Sequence, residues 1–157
     1  SQPCYIPNMT LHLKSGNFMQ EEAIDIFTPK IIKGEAKGLK EKNSIMLSES
    51  TAKALFGNEE VIGKIIKVND EYDMLVTSVF EDIPTNTDLD EIEYLMPWKH
   101  YITTSEWLRN QGDNWGNNSF QMFVQIADNT TMQSVTNAIL DSKKKIQTLN
   151  LEMKFLK

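Results

Sequence analysis

Residues 45–80 read IMLSESTAKALFGNEEVIGKIIKVNDEYDMLVTSVF. The apolar run Ile45-Met46-Leu47 predicts a short strand. Ser48 follows, where its hydroxyl can accept from the free N–H groups of a helix beginning at Glu49. Ala52, Leu55 and Phe56 recur at helical spacing and form one apolar stripe. Gly57 ends that stripe, because glycine adopts the left-handed conformation without a Cβ clash. Asn58-Glu59-Glu60 is a polar turn and Val61-Ile62-Gly63 brings the chain back to a buried position. Ile65 to Val68 and Tyr72 to Phe80 are β-branched and aromatic, and Asn69-Asp70-Glu71 separates them, which predicts a hairpin.

Outward from this unit, Met9, Leu11 and Leu13 alternate with Thr10 and His12, as in a half-buried strand with His12 on its wetter face. Ser15-Gly16-Asn17 reads as a turn leading to a short segment around Phe18 and Met19. Ala23, Ile24 and Phe27 share one side of a short helix within Glu21 to Phe27. Pro29 closes that helix, and Ile31 to Glu35 is extended.

Glu81 to Asp90 is a loop rich in acids and turn formers. Ile92, Tyr94 and Met96 alternate in another short strand up to Pro97. Thr103 or Thr104 can cap a helix carrying Trp107 and Leu108, and Gln111 to Asn118 is loop-like. Ser119 to Ala127, SFQMFVQIA, carries apolar residues on both faces and predicts a central strand. Thr130 with Gln133 forms a reciprocal cap for a long helix lined by Met132, Val135, Ala138, Ile139 and Ile146. Leu149 to Leu156 reads as extended, an expected sheet strand whose partner strand, or part of whose lobe, is expected outside residues 1–157.

The pieces LSESTAKALFG, VIGK, VTSV and EDIPTNT occur in order over residues 47–87. This arrangement resembles the extracytoplasmic domain between the first two transmembrane helices of MacB/FtsX-like ABC transporter permeases of the Bacteroidetes type. Ile26-Phe27 and Ile31 to Glu35 stand where that family has an aromatic-rich phrase, with the first aromatic positions reduced. The resemblance implies an α+β, mixed α/β fold over residues 1–157, built as two interleaved lobes with mixed sheets and packed helices.

It also implies a non-catalytic domain without cofactors, on the periplasmic side of the bacterial inner membrane. Such a domain couples ATP-driven transmembrane motion to an envelope substrate or partner protein. The implied partners are the ABC ATPase and the remaining transmembrane permease segments. A homodimer, a periplasmic adaptor, and a lipoprotein, peptide or lipid substrate complete that set.

Composition narrows the alternatives. Sixteen Lys and Arg against 22 Asp and Glu leave a net charge of −6, which repels a phosphate backbone and argues against nucleic acid. The run Lys143-Lys144-Lys145 instead suits a helix C-terminus. Cys4 is the single cysteine, so no intrachain disulfide forms. No apolar segment approaches the roughly 20 residues that span a bilayer, and Ser1 does not open a signal peptide. With the resemblance, these absences describe a soluble part of a membrane protein.

Ser50-Thr51-Ala52-Lys53 matches S-x-x-K but lacks the S-D-N and K-T-G companions of a serine acyltransferase. The stretch 33–38 lacks a phosphate-cradle pattern, and His12 and His100 lack metal-ligand spacing. Asp82, Asp88, Asp90, Glu91 and Glu93 permit a hydrolase or solute-binding reading if they converge in a cleft, against the plain reading of an acidic strand edge. The candidate partner contacts are Asp82, Asn86 and Asp88 in the Asp82–Asp90 loop, with Trp107 and Trp115, since loops vary without rebuilding a core and tryptophan anchors interfaces.

Overall fold

A computed structural model describes residues 2–5, 12–111 and 120–155. The chain divides into two compact units, Ser1–Asn110 and Gln111–Lys157. The first holds every strand described: β1 (Gln2–Tyr5), β2 (His12–Lys14), β3 (Gly16–Met19), β4 (Ile31–Gly34), β5 (Ser44–Ser48), β6 (Ile65–Val68), β7 (Tyr72–Phe80) and β8 (Tyr94–Pro97). They form one mixed sheet in the order β2-β1-β6-β7-β5-β8-β3, with β4 pairing β7 beside that path.

β7 is nine residues long, and its length explains the branching. One edge pairs antiparallel with β6 at Tyr72 to Leu75 and then with β4 at Ser78 to Phe80, while the other runs parallel to β5. All five residues of β5 are buried, as expected of a central strand covered on both faces. Ile45 and Leu47 enter one cluster with Leu55, Phe56, Met74, Val76 and Tyr94, and Met46 enters the opposite one with Ile24, Phe80, Ile92 and Leu95.

The register between β5 and β7 shifts by one residue: Ile45 pairs Val76, but Met46 pairs Ser78. Thr77 is the extra residue of this bulge, and its hydroxyl donates to the carbonyls of Gly38 at 2.8 Å and Ile45 at 3.2 Å. A bulge changes which face later side chains address. Before it Met74 and Val76 face the larger cluster; after it Val79 does, and Phe80 turns to the smaller one.

The helix expected after β5 is α2 (Glu49–Phe56). Ser48 Oγ accepts from the Thr51 N–H at 3.3 Å and donates to the buried Thr51 hydroxyl at 3.1 Å. A second acceptor comes from the loop after β7, where Asp82 Oδ1 takes the Ser50 N–H at 3.1 Å. Gly57 closes the helix with φ at 63° and its N–H on the Lys53 carbonyl. The following hairpin turns through Asn69 and Asp70, both at positive φ, which these residue types tolerate.

Residues of the remaining predicted elements settle differently in places. α1 (Ala23–Phe27) forms as expected. The predicted turn at Ser15-Gly16-Asn17 is instead the start of β3, which lies parallel to β8. A Cβ at Gly16 would overlap the Tyr94 ring, so this glycine serves close packing within a strand. The segment after Pro97 is helical, forming α3 (Trp98–Thr104) and α4 (Glu106–Gln111). Ser105, not Thr103 or Thr104, caps the second by accepting from the Leu108 N–H at 3.3 Å. The threonine hydroxyls are engaged by carbonyls of the preceding turn. The expected exposure pattern of Met9 to Leu13 falls largely outside the described residues.

In the second unit, residues 120–127 are neither strand nor helix, and Met122 is 87% and Val124 54% exposed. The central strand expected there is therefore absent: a strand needs a neighbour for its backbone groups, and among the described residues no strand pairs with it. α5 (Met132–Phe155) is one long helix. Its cap is Thr131, whose hydroxyl accepts from the Ser134 N–H at 3.2 Å, one residue beyond the predicted Thr130. It also absorbs Leu149 to Phe155, predicted as extended, because no glycine or proline interrupts residues 132–155 and lysine, leucine, glutamate and methionine favour helix.

His100 on α3 is 2% exposed. Its ring stacks in parallel with Phe18 at 6.3 Å and meets the Tyr72 ring edge-on at 4.7 Å. Among the described residues neither ring nitrogen has a hydrogen-bond partner. Burial, and secondarily the Lys42 ammonium, hold this imidazole below its usual range.

The folded chain thus keeps His100 neutral at a pH where the unfolded chain, titrating near about 6.5, takes up a proton. Stability conferred by the neutral ring is intact above that value and declines as pH falls toward the lower folded one. Thermal midpoints of the native protein should fall more between pH 7.5 and 5 (a window bracketing roughly 6.5) than those of His100→Phe; parallel profiles would contradict this account. At the α2 terminus, Ser48→Ala should cost about 1–2 kcal/mol in urea unfolding. Asp82→Ala, which removes an exposed acceptor, should cost about 0.5 kcal/mol.

Candidate functional site

The loop 81–93 leaves the sheet where β5 and β7 finish. α1 faces it across an apolar cavity of about 350 Å³. Ile24 and Phe27 of α1, Phe80 at the end of β7, Ile83 and Leu89 of the loop, and Ile92 form most of its wall. Lys30, Glu81 and Asp82 bring charge to its mouth, and Lys30 Nζ pairs with Glu81 Oε1 at 2.9 Å.

This places three of the sequence-predicted contacts. Asp82 lines the cavity while capping α2, and Asn86 and Asp88 are exposed on the same loop. The loop holds its shape through Thr87, whose hydroxyl donates to the Pro84 carbonyl at 3.1 Å and accepts from the Leu89 N–H at 3.4 Å. Trp107 is 43% exposed on α4. β8 runs antiparallel to β5, so the helices that follow it start from the other end of the sheet, and Trp107 does not join the loop residues. Trp115 lies outside the described residues.

At that other end a second cavity of about 190 Å³ lies among Phe18, Asn69, Tyr72, His100, Tyr101 and Thr104. The Phe18 and Tyr101 rings stack at 4.6 Å. Burial, followed by a hydrogen bond to Glu71, raises the Tyr72 phenol above its ordinary value. Sequence reading missed both cavities, because each combines residues from elements far apart in the chain. The one available signal was the position of Phe18 and His100 on apolar segments.

The acids weighed for a hydrolase or solute-binding cleft do not converge. Glu93 is drawn inward, receiving Lys14 Nζ at 2.6 Å and the Ser15 N–H at 2.7 Å, whereas Asp82, Asp88, Asp90 and Glu91 are exposed. Among the described residues no group of three His, Cys, Asp or Glu is placed to hold a metal ion. Ser50 of the S-x-x-K match gives its N–H to Asp82 and sits in the first turn of α2. Among the described residues no helix is long and apolar enough to cross a membrane.

Solved structures share this fold. A domain of a permease protein from Porphyromonas gingivalis superposes with a TM-score of 0.68 at 19% identity, covering 91% of this chain and 64% of its own. The periplasmic region of MacB from Actinobacillus actinomycetemcomitans gives 0.64 at 16% identity, covering 93% and 63%. The extracellular domain of the noncanonic ABC-type transporter YknZ from Gram-positive bacteria gives 0.53 at 17% identity, covering 66% and 52%. The chain thus spans less than two thirds of the length of these structures. No curated protein matches it. The sequence profile of the MacB-like periplasmic core domain matches residues 8–142, and the chain belongs to that family, the periplasmic core domains of MacB/FtsX-like ABC transporter permeases.

Proposed function

We propose that this domain transmits ATP-driven motion of a permease to a partner in the cell envelope. In this reading ATP is hydrolysed by a separate ABC ATPase, and the remaining transmembrane segments carry the resulting movement to the domain on the periplasmic side of the inner membrane. The partner is a lipoprotein, peptide, lipid or adaptor, engaged by the domain alone or as a homodimer. Two interleaved lobes belong to the same proposal.

The observation that carries it is the contrast between scaffold and loop. β5 is buried along its whole length, while Asp82, Asn86 and Asp88 are exposed beside an apolar cavity. The centre of the sheet is buried at β5 and β8, and the loop at its end is free to differ without rebuilding it. Trp107, with its ring half exposed on α4, supplies a second contact, and Trp115 is assigned with it. The solute-binding and hydrolase alternatives lose their support in the dispersed carboxylates described above.

In the full permease with its ATPase, Asn86→Ala combined with Asp88→Ala should weaken capture of the envelope partner by about tenfold, or about 1.4 kcal/mol. Basal ATP hydrolysis should stay within about twofold, since no interaction with nucleotide is removed. The pair Trp107→Ala and Trp115→Ala should act in the same direction. Unchanged capture, with folding retained, removes the corresponding residues from the contact surface.

A further inference from the structure

We propose that the cavity between α1 and the loop 81–93 seats one apolar side chain of a positively charged peptide segment. This rests on the reading of the Asp82–Asp90 loop as a contact surface and narrows the partner to a cationic stretch of polypeptide.

The cavity wall is mostly apolar, with Ile24, Phe27, Phe80, Ile83, Leu89 and Ile92 among its lining residues, in a space of about 350 Å³. That is within the range of sites that take small ligands or anchoring side chains. Lys30, Glu81 and Asp82 are the charged residues of its lining, and further acids neighbour lining residues along the chain. Glu21 and Glu22 adjoin α1, and Asp82, Asp88, Asp90 and Glu91 belong to the loop.

Two lysines answer this charge, and both are engaged. Lys30 pairs with Glu81 at 2.9 Å, and Lys37 pairs with Asp25 at 2.8 Å. Among the described residues none of the six acids named takes part in an ion pair. The chain as a whole is also anionic, at −6.

An apolar well inside a negative rim selects its occupant by both properties. Burial of a large side chain supplies affinity. The rim steers cations and rejects anions. An anionic lipid headgroup or fatty-acid carboxylate meets repulsion at the mouth, whereas lysine or arginine beside the anchor meets attraction. A polypeptide with an aromatic or leucine anchor between basic residues satisfies both conditions.

The test uses the 157-residue chain and a labelled peptide with a central phenylalanine flanked by lysines. Companion peptides replace the lysines by glutamates or serines, or the phenylalanine by alanine. The lysine peptide should bind, perturb the backbone resonances of Ile24, Phe27 and Leu89, and lose affinity as salt is raised. The glutamate and alanine-centred peptides should bind at least about tenfold more weakly. Ala23→Phe, which fills the cavity, should abolish binding. Glu22→Gln with Asp88→Asn, which alters charge without touching packed groups, should weaken it severalfold and decides the matter if Ala23→Phe does not fold.

Equal binding of lysine and glutamate peptides at these resonances would overturn the charge selection proposed here and leave the loop as a contact surface. Preference for phosphatidylglycerol vesicles over the peptide would overturn it in favour of a lipid. Absence of binding by every peptide would overturn it outright. Perturbation confined to α3 and α4 would reject the loop reading as well.

Discussion

The pairing of β5 with β7 is the constraint on which this fold depends. β5 is a short strand with a cluster of buried side chains on each face, and β7 supplies hydrogen bonds along its whole length. Truncating a buried Leu or Ile in such a position removes about 2–5 kcal/mol. A helix cap contributes about 1 kcal/mol, so packing decides the fold and the caps decide where its elements begin. α2, the hairpin and the loop 81–93 are all placed by reference to this pair. The loop returns the favour through Asp82, whose carboxylate meets the first turn of α2 and ties the loop to the helix that follows β5.

Much of the central unit was legible because its information is local. Ser48, Gly57 and the Asn69-Asp70 turn act on backbone groups within a few residues of themselves, and the structure uses each as the sequence indicates. Long-range effects were not legible. Gly16 looked like a turn former until Tyr94 packed across it. Residues 120–127 alternate as a strand would, yet alternation specifies a face and not a partner. The terminal segment after Leu149 has apolar residues compatible with a strand, but nothing in it stops the helix already under way.

The candidate site followed the same division. The acidic loop and its exposure could be read from composition and turn chemistry. The cavity could not, because Ile24, Phe80 and Leu89 come from three separate elements. Asp82 shows why a contact list made from polarity alone is incomplete: the same carboxylate lines a cavity and satisfies a helix N-terminus. Under the proposed reading, a change at Asp82 would therefore mix recognition with architecture, whereas changes at the exposed Asn86 and Asp88 would report on recognition more directly.

Thr77 gives β7 a change of parity partway along its length. One continuous strand consequently serves as a wall of one cluster through Val76 and as a wall of the other through Phe80. Val76 and Phe80 lie on one strand on either side of that bulge, so the two clusters share a single backbone segment. A shift in the register of β7 at Thr77 would therefore repack both clusters at once, whereas a truncation at Val76 or at Phe80 falls on one of them.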